Sequence, residues 1–232
     1  MSNNVTVLML GYKAQSGKDT FYSVAKDLGY MRSAFADKLK DVVKDLYQFS
    51  DDQMYGSLKD VEDVRYINTV DQQKILSPEW ERDIDMVNLA LDNGMESEDM
   101  QIDNPEYKPF FTPRRILQIF GQQQRLLNPD IWADYVFNVT IPSLVSVGHK
   151  RIIITDFRFR NEATVAKKWS TRNNANLKFI KISRPSIISN DTDISENDLN
   201  QFSEWSYYLN NTGTLEEYQS SSIKFIRTVL NS

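Results

Sequence analysis

The chain has 232 residues, with 27 Lys and Arg against 32 Asp and Glu, one His and no Cys. Lacking Cys, it has no disulfide, thiol nucleophile, iron–sulfur cluster or cysteine zinc site, and the single His149 excludes a site built from two His ligands. No run reaches the roughly 18 apolar residues of a membrane span, MSNNVTVLML lacks the basic start of a secretory signal, and a net charge of −5 disfavours a stable nucleic-acid partner, so the expectation is a cytoplasmic protein without a membrane contact.

Val5–Leu10 (VTVLML) reads as a buried strand ending at Gly11. After the polar loop GYKAQSG, the apolar positions Phe21, Val24, Ala25 and Leu28 have helical spacing. Met31–Ala36 reads as a second strand, and Asp37–Tyr47 as a helix with Leu39, Val42, Val43 and Leu46 on one face. Asp51–Asp85 looks largely helical. Asp92–Tyr107 carries six acids and no bases, with Gly94 and Pro105, and reads as an exposed insertion. Thr112-Pro113 marks a helix start, the hydroxyl as N-cap and Pro in the first turn. That helix runs to about Leu126, and another begins near Asp130. Arg151–Thr155 (RIIIT) is an apolar strand ending at Asp156; Asn161–Trp169 is helical; Leu177–Ile182 and Tyr207–Leu209 are strands; and a helix starts near Leu215. Strands alternating with helices imply a mostly parallel sheet covered on both faces, with ligands at the carboxyl ends of its strands. The loop after Leu10 and Asp156 both lie at such ends.

The loop Gly11–Thr20, GYKAQSGKDT, has the ingredients of a phosphate-binding loop: glycines that let backbone N–H groups wrap phosphate oxygens, and a Lys opening a helix after a buried strand. Two departures stand out. Five residues separate Gly11 from Gly17 where four are usual, and Asp19 follows Lys18 where Ser or Thr is usual, with Thr20 next. The alternative is a glycine turn before an amphipathic helix, with Asp19 favoured by the helix dipole. In the phosphate reading, Asp19 takes Mg²⁺ directly or through water.

Asp156-Phe157-Arg158-Phe159-Arg160-Asn161-Glu162 brings an acid and two guanidinium groups to a strand end. An acid there can manage Mg²⁺ or its waters, and Arg suits phosphate through its paired donors. Equally, Asp156 could be a helix N-cap beside solvated arginines. Thr112–Arg125 offers Arg115, Gln118 and Gln122 on one helical face, able to meet a phosphate and a base edge, or to form a polar outer face. Trp132 could stack on a base or fill the core.

In order, SGKDT (Ser16–Thr20), FADKLKD (Phe35–Asp41), RRILQIFG (Arg114–Gly121), Trp132, IIITDFRFRNE (Ile152–Glu162), ISRP (Ile182–Pro185), SNDTDISE (Ser189–Glu196) and NNTGTLEE (Asn210–Glu217) resemble the bacteriophage deoxynucleoside monophosphate kinases. The resemblance spans nearly the whole chain except about 47–111. It implies an α/β fold, a P-loop NTPase-type three-layer sandwich with a mainly helical acceptor-side insertion at about 48–111 in a single kinase domain. It further implies Mg²⁺-dependent transfer of the ATP γ-phosphoryl group to a deoxynucleoside monophosphate. On this basis Ser16, Gly17, Lys18, Asp19 and Thr20 would hold ATP phosphates and Mg²⁺, with the turn from Asn211 to Gly213 near the adenine. Lys13, Arg65, Arg115, Gln118, Asp156, Arg158 and Glu162 would surround the acceptor, and Phe35, Gly121 and Trp132 would shape its base and sugar pocket. Lys18, Arg115, Asp156 and Arg158 would carry catalysis. The resemblance also favours a homodimer. Asp193 stands where the family pattern has a His. The acidic segment could serve as an acceptor-side lid or be a surface loop. Competing readings are a kinase acting on a modified base in DNA and a nucleotide-binding module without turnover.

Overall fold

The computed structural model describes residues 5–66, 111–186 and 197–229. The acidic segment 92–107 and all of SNDTDISE, with Asp193, lie outside the described residues, as does 67–85 of the expected helical region.

The chain divides into two compact units, one of Met1–Asp37 with Trp132–Ser232 and one of Lys38–Ile131. The first is built on a sheet. Its strands are β1 (Thr6–Gly11), β2 (Met31–Ser33), β3 (Arg151–Phe157), β4 (Asn176–Ser183) and β5 (Tyr207–Asn210). They lie in the order β2-β3-β1-β4-β5, and every neighbouring pair is parallel. β1 is central: Thr6 pairs with Arg151 on one side and Asn176 on the other. This explains why Val7, Leu8, Met9 and Leu10 form an unbroken apolar run, for all four are fully buried.

The helices of this unit are α1 (Lys18–Lys26), the first residues of α2 (Phe35–Tyr47), α5 (Ile131–Tyr135), α6 (Ile141–Ser146), α7 (Arg160–Asn173) and α8 (Leu215–Val229). Leu8, Leu10, Ile153, Ile180 and Ile182 meet Phe21 and Ala25 of α1 and Tyr218 and Ile226 of α8 on one face. Aromatic rings fill another part of the core, where Phe157 packs against Phe179, Phe202 and Trp205, and Trp169 of α7 packs on Phe137. The result is the expected α/β sandwich with a parallel sheet. Between α5 and α6 a π-helical turn, Val136–Thr140, closes with Ile141 N–H donating to the Val136 carbonyl. Pro142 follows at once; it lacks a donor and crowds the carbonyl one turn back, which favours a widened turn there.

The expected second strand ends early, at Ser33, and α2 begins at Phe35. The reason is local capping: the Asp156 carboxylate accepts the N–H groups of Phe35 (2.8 Å) and Ala36 (2.9 Å). Two donors orphaned at a helix start are thereby satisfied.

The second unit contains the rest of α2, α3 (Asp51–Tyr55), a 3-10 turn (Ser57–Asp60) and α4 (Pro113–Leu127). Ser50 and Gln53 form a reciprocal capping box on α3. Thr112 caps α4 by accepting from Arg115 N–H at 3.1 Å, with Pro113 in the first turn. Tyr47, Phe49 and Tyr66 pack their rings together, and the segments are linked by backbone bonds, Phe111 N–H donating to the Tyr66 carbonyl and Asp63 N–H to the Phe111 carbonyl. Among the described residues, no helix is long and apolar enough to cross a membrane.

Candidate active site

The loop joining β1 to α1 is shaped by three residues with positive φ: Tyr12 (+96°), Gln15 (+55°) and Gly17 (+109°). Gly11 is a glycine for a different reason. A Cβ there would lie 2.7 Å from Phe157 Cδ1 and 2.8 Å from Trp205 Cη2. Gly11 therefore belongs to the packing of β1, and Tyr12 occupies the left-handed position that glycine favours. Counted from Tyr12, four residues precede Gly17, the usual spacing. Read as the phosphate-binding loop expected from the sequence, it would be of ordinary length with Tyr in place of its first glycine, since Gly11 is the end of the strand.

Lys18 opens α1 and is buried, 8% exposed. Its ammonium donates to the carbonyls of Tyr12 (3.2 Å) and Lys13 (2.5 Å) and to Ser16 Oγ (3.3 Å). The charge is thus held inside the curve of the loop, beside the N-terminus of α1, where anions are favoured. The loop is braced from far along the chain. Asn211 Nδ2 donates to the Ser16 carbonyl at 3.1 Å, and the Tyr218 hydroxyl donates to the Gly17 carbonyl at 3.2 Å. Burial pushes the Tyr218 phenol well above its ordinary range, so it stays a donor at any physiological pH.

These groups border a cleft of about 260 Å³ lined by Gln15, Gly17, Lys18, Asp19, Thr20, Arg184, Asn211, Gly213, Leu215 and Tyr218. Asp19 is exposed and Thr20 half-buried in the first turn of α1. If the loop holds phosphates, a carboxylate and a hydroxyl in these positions would fit Mg²⁺, which takes one or two protein oxygens and fills its shell with phosphates and water. Among the described residues there is no cluster of three or more His, Cys, Asp or Glu able to hold a metal ion.

No family model matches the chain. A protein of Acanthamoeba polyphaga mimivirus named "Putative deoxynucleotide monophosphate kinase" is 29% identical over 225 residues, 96% of this chain and 96% of that one. The solved dephospho-CoA kinase from Campylobacter jejuni aligns with a TM-score of 0.47 at 14% identity, covering 99% of this chain and 98% of that one.

The remaining candidates fall into two groups. In the first unit, Lys13 donates to Asn197 Oδ1 at 3.1 Å. Arg158 stands after β3, and its charge opposes the rise that burial imposes on the Asp156 pKa, as do the two N–H groups Asp156 accepts. Glu162 is buried and caps α7, accepting from the N–H groups of Arg158 (2.9 Å) and Phe159 (3.0 Å). Asp156 and Glu162 thus both hold helix starts, and Asp156 caps α2 rather than the helix that follows it. Phe35 is buried with its ring 6.2 Å from Phe137, and Trp132 is buried in α5. In the second unit, Arg115 is half-buried and Gln118 exposed on α4, and Gly121 packs there against Leu39, where a Cβ would come within 2.8 Å. Arg65 is paired with Asp63 and lies over the Phe49 and Tyr66 rings.

Four lining residues escaped the sequence reading: Gln15, Arg184, Leu215 and Tyr218. Arg184 had a signal, a basic residue directly after β4, at the strand end where ligands gather. Tyr218 had none, because its bond to Gly17 spans 201 residues.

Proposed function

We propose that the protein is a nucleotide kinase that transfers the γ-phosphoryl group of ATP to a deoxynucleoside 5′-monophosphate. The observation that carries this reading is the buried Lys18 ammonium, held inside a left-handed backbone loop that opens onto a cleft. The name borne by the mimivirus relative and the order of motifs along the chain support the choice of acceptor.

Direct transfer suits these residues. The acceptor phosphate is largely dianionic at neutral pH, since its second pKa is about 6, so no strong base is required. Bringing it to a polyphosphate is the difficulty: two unit charges 4 Å apart repel by about 4 kcal/mol at an effective dielectric of 20. Lys18 and the N–H groups of the loop would offset that charge on the donor side, and Arg158 on the acceptor side. Asp19 and Thr20 would hold Mg²⁺, which supplies neutralisation of the donor phosphates. Asp156 would act indirectly, by fixing the start of α2 and the setting of Arg158. On the resemblance alone, Arg115, Gln118 and Lys13 are assigned to the monophosphate.

The test is ADP formation from Mg-ATP with a panel of dTMP, dGMP, dCMP, dAMP and hydroxymethylated pyrimidine monophosphates. At least one acceptor is expected to be phosphorylated, and Lys18→Ala should lower its turnover by about 100-fold or more. Tight ATP binding without turnover on any acceptor would favour the non-catalytic module, a reading to which Asp19 in the usual hydroxyl position lends weight. Phosphorylation of oligonucleotides in preference to free nucleotides would favour action on DNA.

A further inference from the structure

Tyr12 combines two features that are not usually found together. Its φ of +96° places a bulky side chain in a backbone region that disfavours any Cβ. Its carbonyl also accepts from the Lys18 ammonium, so the conformation at residue 12 directly sets where that charge points. Something must hold the residue in place. The Tyr12 ring lies 3.9 Å from the Lys181 ammonium, well inside the range of a cation–π contact. Lys181 reaches it from β4, where it pairs in register with Gly11. Among the described residues, Lys181 has no carboxylate within ion-pair distance; its ammonium sits on Tyr12 and 6.0 Å from the Trp205 ring. Burial, with the charge of Lys13 adding to it, pulls its pKa below the ordinary lysine value. A partly buried cation with no carboxylate partner among the described residues is costly to retain, and its contact with an aromatic face offsets part of that.

We infer that Lys181 is a positioning residue for the phosphate loop: its ammonium, seated on the Tyr12 ring, holds Tyr12 in the left-handed conformation from which the Tyr12 carbonyl orients Lys18. The clamp substitutes for the glycine that the position otherwise calls for. Lys181 touches no phosphate in this scheme and acts through Tyr12. The functional readout rests on the kinase reading above; the structural readout does not.

The experiment is a double-mutant cycle of Lys181→Met and Tyr12→Gly, with Lys181→Arg as rescue. In the kinase assay, Lys181→Met should raise the KM for ATP about fivefold and leave kcat within about twofold, and Lys181→Arg should restore the KM. In a Tyr12→Gly background, Lys181→Met should change the KM less than about twofold, because glycine needs no clamp. An unchanged KM in Lys181→Met would overturn the proposal. So would the same fivefold rise in both backgrounds, which would place Lys181 on the nucleotide itself. In parallel, urea unfolding of the four unliganded proteins should show a coupling of about fivefold in the unfolding constant. If the unmodified protein binds no ATP, the kinase reading fails, and the unfolding cycle alone decides the clamp: additive effects would overturn it.

Discussion

Gly17 is required twice over, once by its backbone and once by its neighbours. Its φ of +109° strains any other residue, and a Cβ would lie 2.7 Å from Asn211 Nδ2 and 2.9 Å from Tyr218 Cε1. Those two side chains are the braces of the loop, so an added methyl would push against the groups that hold it. Gly17→Ala should therefore cost about 2–3 kcal/mol in urea unfolding, together with a loss of nucleotide affinity; a cost below about 0.5 kcal/mol would contradict this account. At this scale the sequence was informative about Lys18 and Gly17, because a buried strand, a glycine turn and a helix follow one another within a few residues. It misled at Gly11, whose glycine answers to Phe157 and Trp205. Both partners are remote in sequence, and only their packing shows that Gly11 belongs to β1 and not to the turn that begins at Tyr12. Asp156 and Glu162 were legible as acids near a strand end, but their use as helix caps depends on which N–H groups the fold delivers to them.

Among the elements, the segment after α3 is held by one carboxylate. Asp63, only 8% exposed, accepts from Gln53 and Arg65, and these bonds, chiefly with the Arg65 guanidinium, pull its pKa from 3.8 down to about 2. Its folded pKa lies below its unfolded one, so the stability it contributes is present above about pH 4 and is lost as pH falls from 3.8 toward 2. Arg65 is nearly half exposed, and screening by water reduces the gain. Asp63→Asn should cost about 1–2 kcal/mol at pH 7 in thermal or urea unfolding, and the difference from the parent should shrink toward zero by pH 2. A difference that stayed constant across that interval would sink the assignment. Helix starts with a local signature were readable in advance, as Thr112-Pro113 shows. The start of α2 was not, for its cap comes from Asp156, more than a hundred residues away.

On the scale of the whole molecule, the sheet order sets how the chain must assemble. β1 is made first yet lies between β3 and β4, with Thr6 beside Arg151 and Asn176. These pairings close long loops before any strand contact rewards them. Refolding followed by the fluorescence of the buried Trp132, Trp169 and Trp205 should accordingly proceed on the order of once per second or slower; a sub-millisecond main phase would contradict it. Alternating strands and helices were visible in the apolar patterning, and with them the parallel sheet. The strand order was not, since patterning says which segments pair with something and not with which partner.

The bonds from Asn211 to Ser16 and from Tyr218 to Gly17 cross 195 and 201 residues. During synthesis the loop therefore leaves the ribosome 195 residues before one of its supports and 201 before the other. A growing polypeptide carries the turn before either of these braces exists, and a message cut short before codon 211 yields a product with Lys18 intact and both braces missing.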